Sequence, residues 1–275
     1  SSLPSSASST ASASVCSPKS HKNVHKHQQS LLHHPPVQSS YTDFKGTYET
    51  IEGLNTYVTG DASSKKAIVA TQDIFGQAPQ TKQAADIVAA ATGARVYLPD
   101  YFHGKPVPQN AYPPDNKEKE ELIQNFFSGI ASPPKNKEIL INFGKTLKSQ
   151  GATSVGAYGY CWGGKVTVLA AGPDTPFTAV SQIHPAMLSA DDASALTVPI
   201  ASYPSGDEAQ DDIDAFQKAV EGNSNKGVKE GSVFHHYKEM FHGWAAARAD
   251  LEKSENREAF DAVYKELAAF FNKHL

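Results

Sequence analysis

Apolar positions along the chain alternate between short β-type runs and longer runs with helical spacing. The β-type runs predict strands at Tyr48–Ile51, Leu54–Thr59, Ala67–Thr71, Arg95–Pro99, Ser154–Tyr158, Phe177–His184, Val198–Tyr203 and Ser232–Tyr237. The helical runs predict helices at Thr81–Thr92, Lys117–Ser128, Lys135–Gln150, Val166–Ala171, Asp211–Glu221 and Asn256–His274. Because strands and helices alternate, we expect an α/β fold with a mostly parallel central sheet flanked by helices.

The first 42 residues differ in composition from the rest of the chain. They are rich in Ser and His, and no acidic residue occurs before Asp43. Such a segment buries too little apolar surface to offset its ordering entropy, so residues 1–42 are expected to be a disordered tail and residues 43–275 one α/β domain. Histidines scattered in a flexible tail form no fixed ligand geometry, so any metal binding there is expected to be adventitious.

Net charge and cysteine content indicate which binding partners and which cellular compartment to expect. The formal net charge of -4 gives no electrostatic reason to expect nucleic acid or a membrane surface as a partner, and we expect a monomer or a weak homodimer. Only two cysteines occur, Cys16 and Cys161, and there is no Asn-X-Ser/Thr sequon. Both features favour the reducing cytoplasm, with the mitochondrion as the alternative because the leader is Ser-rich and free of acidic residues.

One motif carries most of the chemical information. The sequence Gly-Tyr-Cys-Trp-Gly-Gly at residues 159–164 lies between a predicted strand and a predicted helix. This is the form of a nucleophile elbow, in which small residues allow a sharp turn that presents one side chain above the sheet. The presented side chain is the thiol of Cys161, which predicts acyl transfer through a thioester.

The partners of such a nucleophile should follow in a fixed order, an acid and then a histidine, each just beyond a later strand. Asp207 follows the strand that ends at Tyr203, and His242 follows the next strand candidate. We therefore predict Cys161, His242 and Asp207 as the catalytic residues, with Asp207 orienting the imidazole. The backbone N–H groups of Trp162 and Ile74 are the predicted oxyanion donors.

The chain resembles the dienelactone hydrolases, specifically their fungal-type, carboxymethylenebutenolidase-like branch. The resemblance covers roughly residues 44–275 and is carried by Gln72–Gly76, Leu98–Lys105, the cysteine elbow and Phe241–Trp244. It implies a single-domain α/β-hydrolase fold without a cofactor that hydrolyses lactones or small activated esters. It also implies that Asp73 holds the resting thiol, at a position where the best-known bacterial members carry Glu. The alternative is that Asp73 is the N-cap of the next helix.

Six further side chains are predicted to line the substrate pocket: Phe75, Tyr101, His103, Tyr160, Trp244 and Arg248. His184 also stands at a strand end, but it precedes the acid and is interpreted as a structural or pocket-wall residue. The predicted function is cysteine-dependent hydrolysis of a small lactone or ester. The alternative is a non-catalytic relative that binds a small ligand or a partner protein, since a fold does not guarantee chemistry.

Overall fold

A computed structural model describes residues 35–275, in which an eight-stranded sheet separates two hydrophobic cores. The strands are β1 (Thr47–Ile51), β2 (Leu54–Thr59), β3 (Lys66–Thr71), β4 (Arg95–Pro99), β5 (Ser154–Tyr160), β6 (Ala179–Ile183), β7 (Ile200–Tyr203) and β8 (Val233–Phe234). Their order is β1-β2-β4-β3-β5-β6-β7-β8. The β1–β2 and β2–β4 pairs are antiparallel and the others are parallel, which confirms the predicted α/β-hydrolase fold.

Helices cover both faces of this sheet. They are α1 (Pro79–Thr92), α2 (Lys117–Ser128), α3 (Pro133–Ser149), α4 (Trp162–Leu169), α5 (Ala190–Ser194), α6 (Gln210–Glu221), α7 (Lys226–Gly231) and α8 (Ser254–His274), with a 3₁₀ turn at Gln109–Ala111. Apolar residues of α1 and α8 share one core, whereas those of α2, α3, α4 and α6 contribute to the other. The strands β3, β5, β6 and β7 are parallel, so their carboxyl ends meet at one edge.

Most predicted elements are confirmed, and the differences have local causes. The helix after the elbow begins at Trp162 rather than Val166, because it starts directly at the turn that presents Cys161. The last strand is reduced to Val233 and Phe234, which pair only with Ala201 and Ser202 of β7. The short helices α5 and α7 were not predicted; five or six residues are too few to show a helical period.

The described chain contacts the domain from within the predicted tail. Residues 1–34 of the predicted tail, with Cys16, lie outside the described residues. Residues 35–42 were predicted to be disordered but lie against the domain: the N–H of Val37 donates to Ala247 O at 2.9 Å, and its carbonyl accepts from Gln80 Nε2 at 2.9 Å. These hydrogen bonds satisfy backbone groups without requiring an apolar core, which is why composition alone did not reveal the contact.

Candidate active site

Cys161 occupies the sharp turn between β5 and α4. Its φ is +52° and its ψ is -115°, an unfavourable conformation for a residue with a Cβ, and its side chain is buried. The turn depends on glycine, because a Cβ at Gly163 would lie 2.3 Å from Thr71 O and one at Gly159 would lie 2.1 Å from Gly163 O. The local sequence thus produces the predicted elbow and holds the thiol at the carboxyl edge of the sheet.

The acid that contacts the imidazole is Glu208, and the prediction of Asp207 for this contact is wrong. His242 Nδ1 lies 2.6 Å from Glu208 Oε1, and both side chains are buried. Asp207 Oδ2 instead accepts the backbone N–H of His242 at 2.8 Å. The turn after β7 directs two adjacent carboxylates to different atoms of one histidine. Glu208 is itself held by the N–H and, at 3.0 Å, the hydroxyl of Ser205.

His242 is completely buried, and its surroundings favour the neutral imidazole. Burial lowers the pKa of His242 well below its usual value, and the Arg248 guanidinium lowers it further. The His184 ring lies edge-on to the His242 ring, with 5.2 Å between their centroids, and also stacks on the Tyr160 ring. His184 therefore forms part of the wall around the imidazole. A neutral imidazole can accept a proton from a thiol.

The resting thiol is strongly protonated. Burial raises the pKa of Cys161 to about 12, and the neighbouring Asp73 carboxylate also raises it, whereas the Arg248 guanidinium and the Trp162 backbone N–H lower it. Two opposing charges, Asp73 and Arg248, thus act on the sulfur. The thiol needs a base and a stabilised anion before it can attack.

Asp73 is buried in the loop after β3 and is not a helix cap, because α1 begins six residues later with Ala78 as its N-cap. Its Oδ1 accepts the Phe75 N–H at 2.9 Å and its Oδ2 accepts the Ala247 N–H at 3.3 Å. Burial raises the pKa of Asp73 to about 6, against the lowering by these N–H groups and Arg248. That Asp73 restrains the thiol stays a prediction, supported by its effect on the sulfur.

The Arg248 guanidinium is a buried positive charge that also acts on the Cys161 thiol. Its guanidinium carbon lies 5.0 Å from the centre of the Phe75 ring, and its Nη1 donates to His242 O at 3.3 Å. Tyr112, from the loop between β4 and α2, is buried. Burial raises the pKa of its hydroxyl, Cys161 raises this pKa further, and the Arg248 guanidinium lowers it. Arg248 thus acts electrostatically on the thiol and Phe75 lies beside its guanidinium, and that these two residues line a substrate pocket stays a prediction.

The other four predicted pocket residues differ in their surroundings. Tyr160 and Trp244 are fully buried in the core formed with α1 and α8, whereas Cys161 belongs to the opposite core. Tyr101 packs edge-on against the Trp162 ring, and His103 is exposed. The pocket prediction is therefore wrong for Tyr160 and Trp244, whose side chains lie in the core on the opposite face of the sheet from the thiol, whereas for Tyr101 and His103 it stays a prediction.

That the backbone N–H groups of Trp162 and Ile74 are the oxyanion donors stays a prediction. Trp162 is the first residue of α4 and its N–H acts on the Cys161 sulfur, while its indole is fixed in the core by a hydrogen bond to Ala131 O at 2.8 Å. Ile74 is buried in the loop after β3, and its carbonyl accepts the Val107 N–H at 2.9 Å. That contact ties the loop 104–114 to the predicted oxyanion loop.

Sequence reasoning missed Glu208 and Tyr112. The adjacent pair Asp207-Glu208 was a visible signal, but which carboxylate reaches the imidazole depends on the turn geometry. Tyr112 lies in a Pro-rich stretch with no periodic pattern. Between residues 35 and 275, no group of three His, Cys, Asp or Glu side chains is arranged to hold a metal ion. Helices of this same part of the chain are too short or too polar to cross a bilayer.

Comparison with known proteins identifies the family. Residues 54–275 match the Dienelactone hydrolase family. An uncharacterized AIM2 family protein of Schizosaccharomyces pombe is 37% identical over 84% of this chain and 92% of its own length. A carboxymethylenebutenolidase homolog of Xenopus tropicalis is 35% identical over 45% of this chain and 48% of its own length. The dienelactone hydrolase structure from Anabaena variabilis superposes with a TM-score of 0.57 at 15% identity, covering 84% of this chain and 99% of that one. The chain therefore belongs to the dienelactone hydrolase family and is a lactone or ester hydrolase.

Proposed function

We propose that the protein hydrolyses lactones or small activated esters through a thioester on Cys161, with His242 as general base and acid and Glu208 as the orienting acid. The observation that supports this most directly is the buried contact between His242 Nδ1 and Glu208 Oε1, at the sheet edge where the elbow holds Cys161. A carboxylate on Nδ1 leaves Nε2 as the basic nitrogen and stabilises the imidazolium that forms.

The reaction then proceeds in two balanced steps. The thiol proton moves to His242 Nε2 as sulfur attacks the substrate carbonyl carbon, and the Trp162 and Ile74 N–H groups stabilise the oxyanion. The carbon–oxygen bond to the leaving group breaks, and the leaving oxygen takes the proton from His242. Water then gives a proton to His242 and attacks the thioester, and the thiol regains its proton as the acid product leaves.

The charges around the sulfur support a substrate whose acyl part carries a carboxylate. In the resting site the Arg248 guanidinium interacts electrostatically with the Asp73 carboxylate and the thiol. An anionic acyl group beside Phe75 would form a charge-assisted hydrogen bond with the guanidinium. Lactones and enol or aryl esters with such a carboxylate are therefore the proposed substrate class.

Trapping the acyl-enzyme tests the proposal. Turnover of 4-nitrophenyl acetate is quenched with acid, and the peptides that contain Cys161 and Cys16 are weighed by mass spectrometry. We expect one acetyl group on the Cys161 peptide during turnover and none on the Cys16 peptide, which serves as the internal control. Turnover without acetylation of Cys161, in a rapidly quenched sample, would contradict a thioester mechanism.

A further inference from the structure

The segment that carries His242 and Arg248 has little structure of its own. Residues 242–248 form turns and residues 249–250 have no regular structure, so the segment 242–250 belongs to no helix or strand. Four of its alanines, at positions 245, 246, 247 and 249, are nevertheless buried. The positions of its two functional side chains must therefore be set by contacts with other parts of the chain.

One such contact is a clamp formed by the side chain of Gln80, in the first turn of α1. This side chain is 1% exposed. Its Nε2 lies within hydrogen-bond distance of three carbonyl oxygens: Val37 O at 2.9 Å, Ala249 O at 3.1 Å and Ala247 O at 3.4 Å. A single amide group thus joins α1, the N-terminal segment and the segment that carries Arg248.

Ala247 connects the Gln80 clamp to the charged groups that act on the thiol. Ala247, whose carbonyl faces Gln80, donates its N–H to Asp73 Oδ2 at 3.3 Å. The next residue is Arg248. Asn256 fixes the same segment independently, donating to Trp244 O at 2.8 Å and accepting from Asp250 N at 2.7 Å. Loss of Gln80 should thus displace the middle of the segment without releasing it.

We propose that Gln80 is a positioning residue for the cysteine chemistry, which acts through the Ala247 backbone to fix the Asp73 carboxylate and the Arg248 guanidinium relative to Cys161. This inference rests on the proposed role of Cys161 as nucleophile. Gln80 itself touches neither substrate nor sulfur in this scheme. Its effect is to preserve a charge arrangement that one misplaced peptide would disturb.

The expected direction follows from the groups that surround the sulfur. Above pH 8 Asp73 is ionised with or without the Ala247 hydrogen bond, so displacement of the Arg248 guanidinium decides the change, and the pKa of Cys161 should rise. A purely structural loosening would instead expose the buried thiol and speed its alkylation. The charged and titratable groups near the sulfur or its base are Asp73, Arg248, Glu208, Asp207, Tyr112, His184 and His242.

The test compares Gln80→Met, which keeps volume but removes the donor, with Asn223→Leu. Asn223 is a matched control because its Nδ2 also faces three carbonyls, those of Ala193, Ser194 and Leu196, but near the amino end of β7, at the edge of the sheet opposite the one that holds Cys161. The rate of Cys161 alkylation by iodoacetamide is followed by peptide mass spectrometry between pH 8 and 9.5, beside kcat/KM for 4-nitrophenyl acetate.

For Gln80→Met we expect alkylation about tenfold slower at each pH and kcat/KM about tenfold to a hundredfold lower, with both unchanged in Asn223→Leu. Unchanged or faster alkylation in Gln80→Met would overturn the inference. If Gln80→Met does not fold, Val37→Pro, which removes the Val37 N–H to Ala247 O, should give a smaller slowing, and its absence is equally decisive. A wild-type protein that hydrolyses no ester would refute the proposed function, whereas the alkylation rates would still decide the role of Gln80.

Discussion

His242 Nδ1 and Glu208 Oε1 lie 2.6 Å apart, and both side chains are withdrawn from solvent. The residue before Glu208 also binds His242, but through the backbone N–H. One turn after β7 thus fixes both the ring and the main chain of the same histidine. The ring contact bears on proton transfer, whereas the backbone contact supports the loop.

The two carboxylates should therefore differ sharply in their effect on activity. Glu208→Gln should lower kcat/KM by about 10² to 10⁴, because the amide cannot stabilise the imidazolium and disturbs the tautomer. Asp207→Asn should cost no more than about tenfold, since an amide oxygen can still accept the His242 N–H. Steady-state hydrolysis of 4-nitrophenyl acetate by both variants measures the difference. A larger loss of kcat/KM in Asp207→Asn than in Glu208→Gln would mean that Asp207, and not Glu208, supports the imidazole in catalysis.

The strain at Cys161 should appear in the stability of variants that lack the thiol. Cys161→Ala and Cys161→Gly should both lose ester turnover. At an ordinary position Gly is less stable than Ala by roughly 0.5–1 kcal/mol. At φ +52° and ψ -115° the order should reverse, with Gly more stable by about 1 kcal/mol, because only Gly adopts this conformation without steric cost. Urea unfolding of the two variants gives the comparison, and an Ala variant of higher stability would show that the turn is unstrained.

Asp73 should make the free energy of unfolding decrease as pH rises through the acidic range. Its pKa is raised from 3.8 to about 6 in the folded protein, so between these values the unfolded chain binds fewer protons than the folded one. The free energy of unfolding contributed by this group therefore falls as pH rises from about 4 to 6 and is constant above that range. The free energy of unfolding of Asp73→Asn, relative to that of the wild type, should therefore increase by up to about 3 kcal/mol as pH rises from 4 to 7.

The measurement is urea unfolding of both proteins at several pH values, since the difference between them cancels the other titrating groups. A difference in free energy that does not change between pH 4 and 7 would mean that Asp73 is not protonated on burial. His242, whose pKa burial lowers, contributes in the opposite direction: its stabilisation is lost as pH falls below the usual histidine range.

Arg248 should raise kcat/KM more for esters whose acyl part carries a carboxylate than for uncharged esters. Arg248→Met keeps much of the side-chain length and loses the guanidinium. We expect kcat/KM for 4-nitrophenyl hydrogen succinate to fall about tenfold to a hundredfold more than for 4-nitrophenyl butyrate, because only the first can bind the guanidinium through a carboxylate. The ratio of the two losses removes the shared effect of Arg248 on the thiol. Equal losses would exclude Arg248 from recognition of the acyl group.

The sequence contained enough information for the fold and for the sharp turn that presents Cys161, because both depend on local patterns. Alternating strands and helices determine which faces are buried, and glycines on both sides of Cys161 permit only one kind of turn there. His242 was also found from its place after the last strand. These features need only the order of residue types along the chain.

Tertiary structure alone decided which groups meet around the sulfur. Asp207 and Glu208 are neighbours in sequence, and only the path of the turn after β7 gives the imidazole to Glu208. Tyr160 and Trp244 adjoin site residues in sequence but face the opposite core. Gln80 contacts carbonyls 43, 167 and 169 residues away along the chain. Such contacts leave no periodic pattern in the sequence, because they depend on the three-dimensional path that brings distant backbone groups within hydrogen-bond distance.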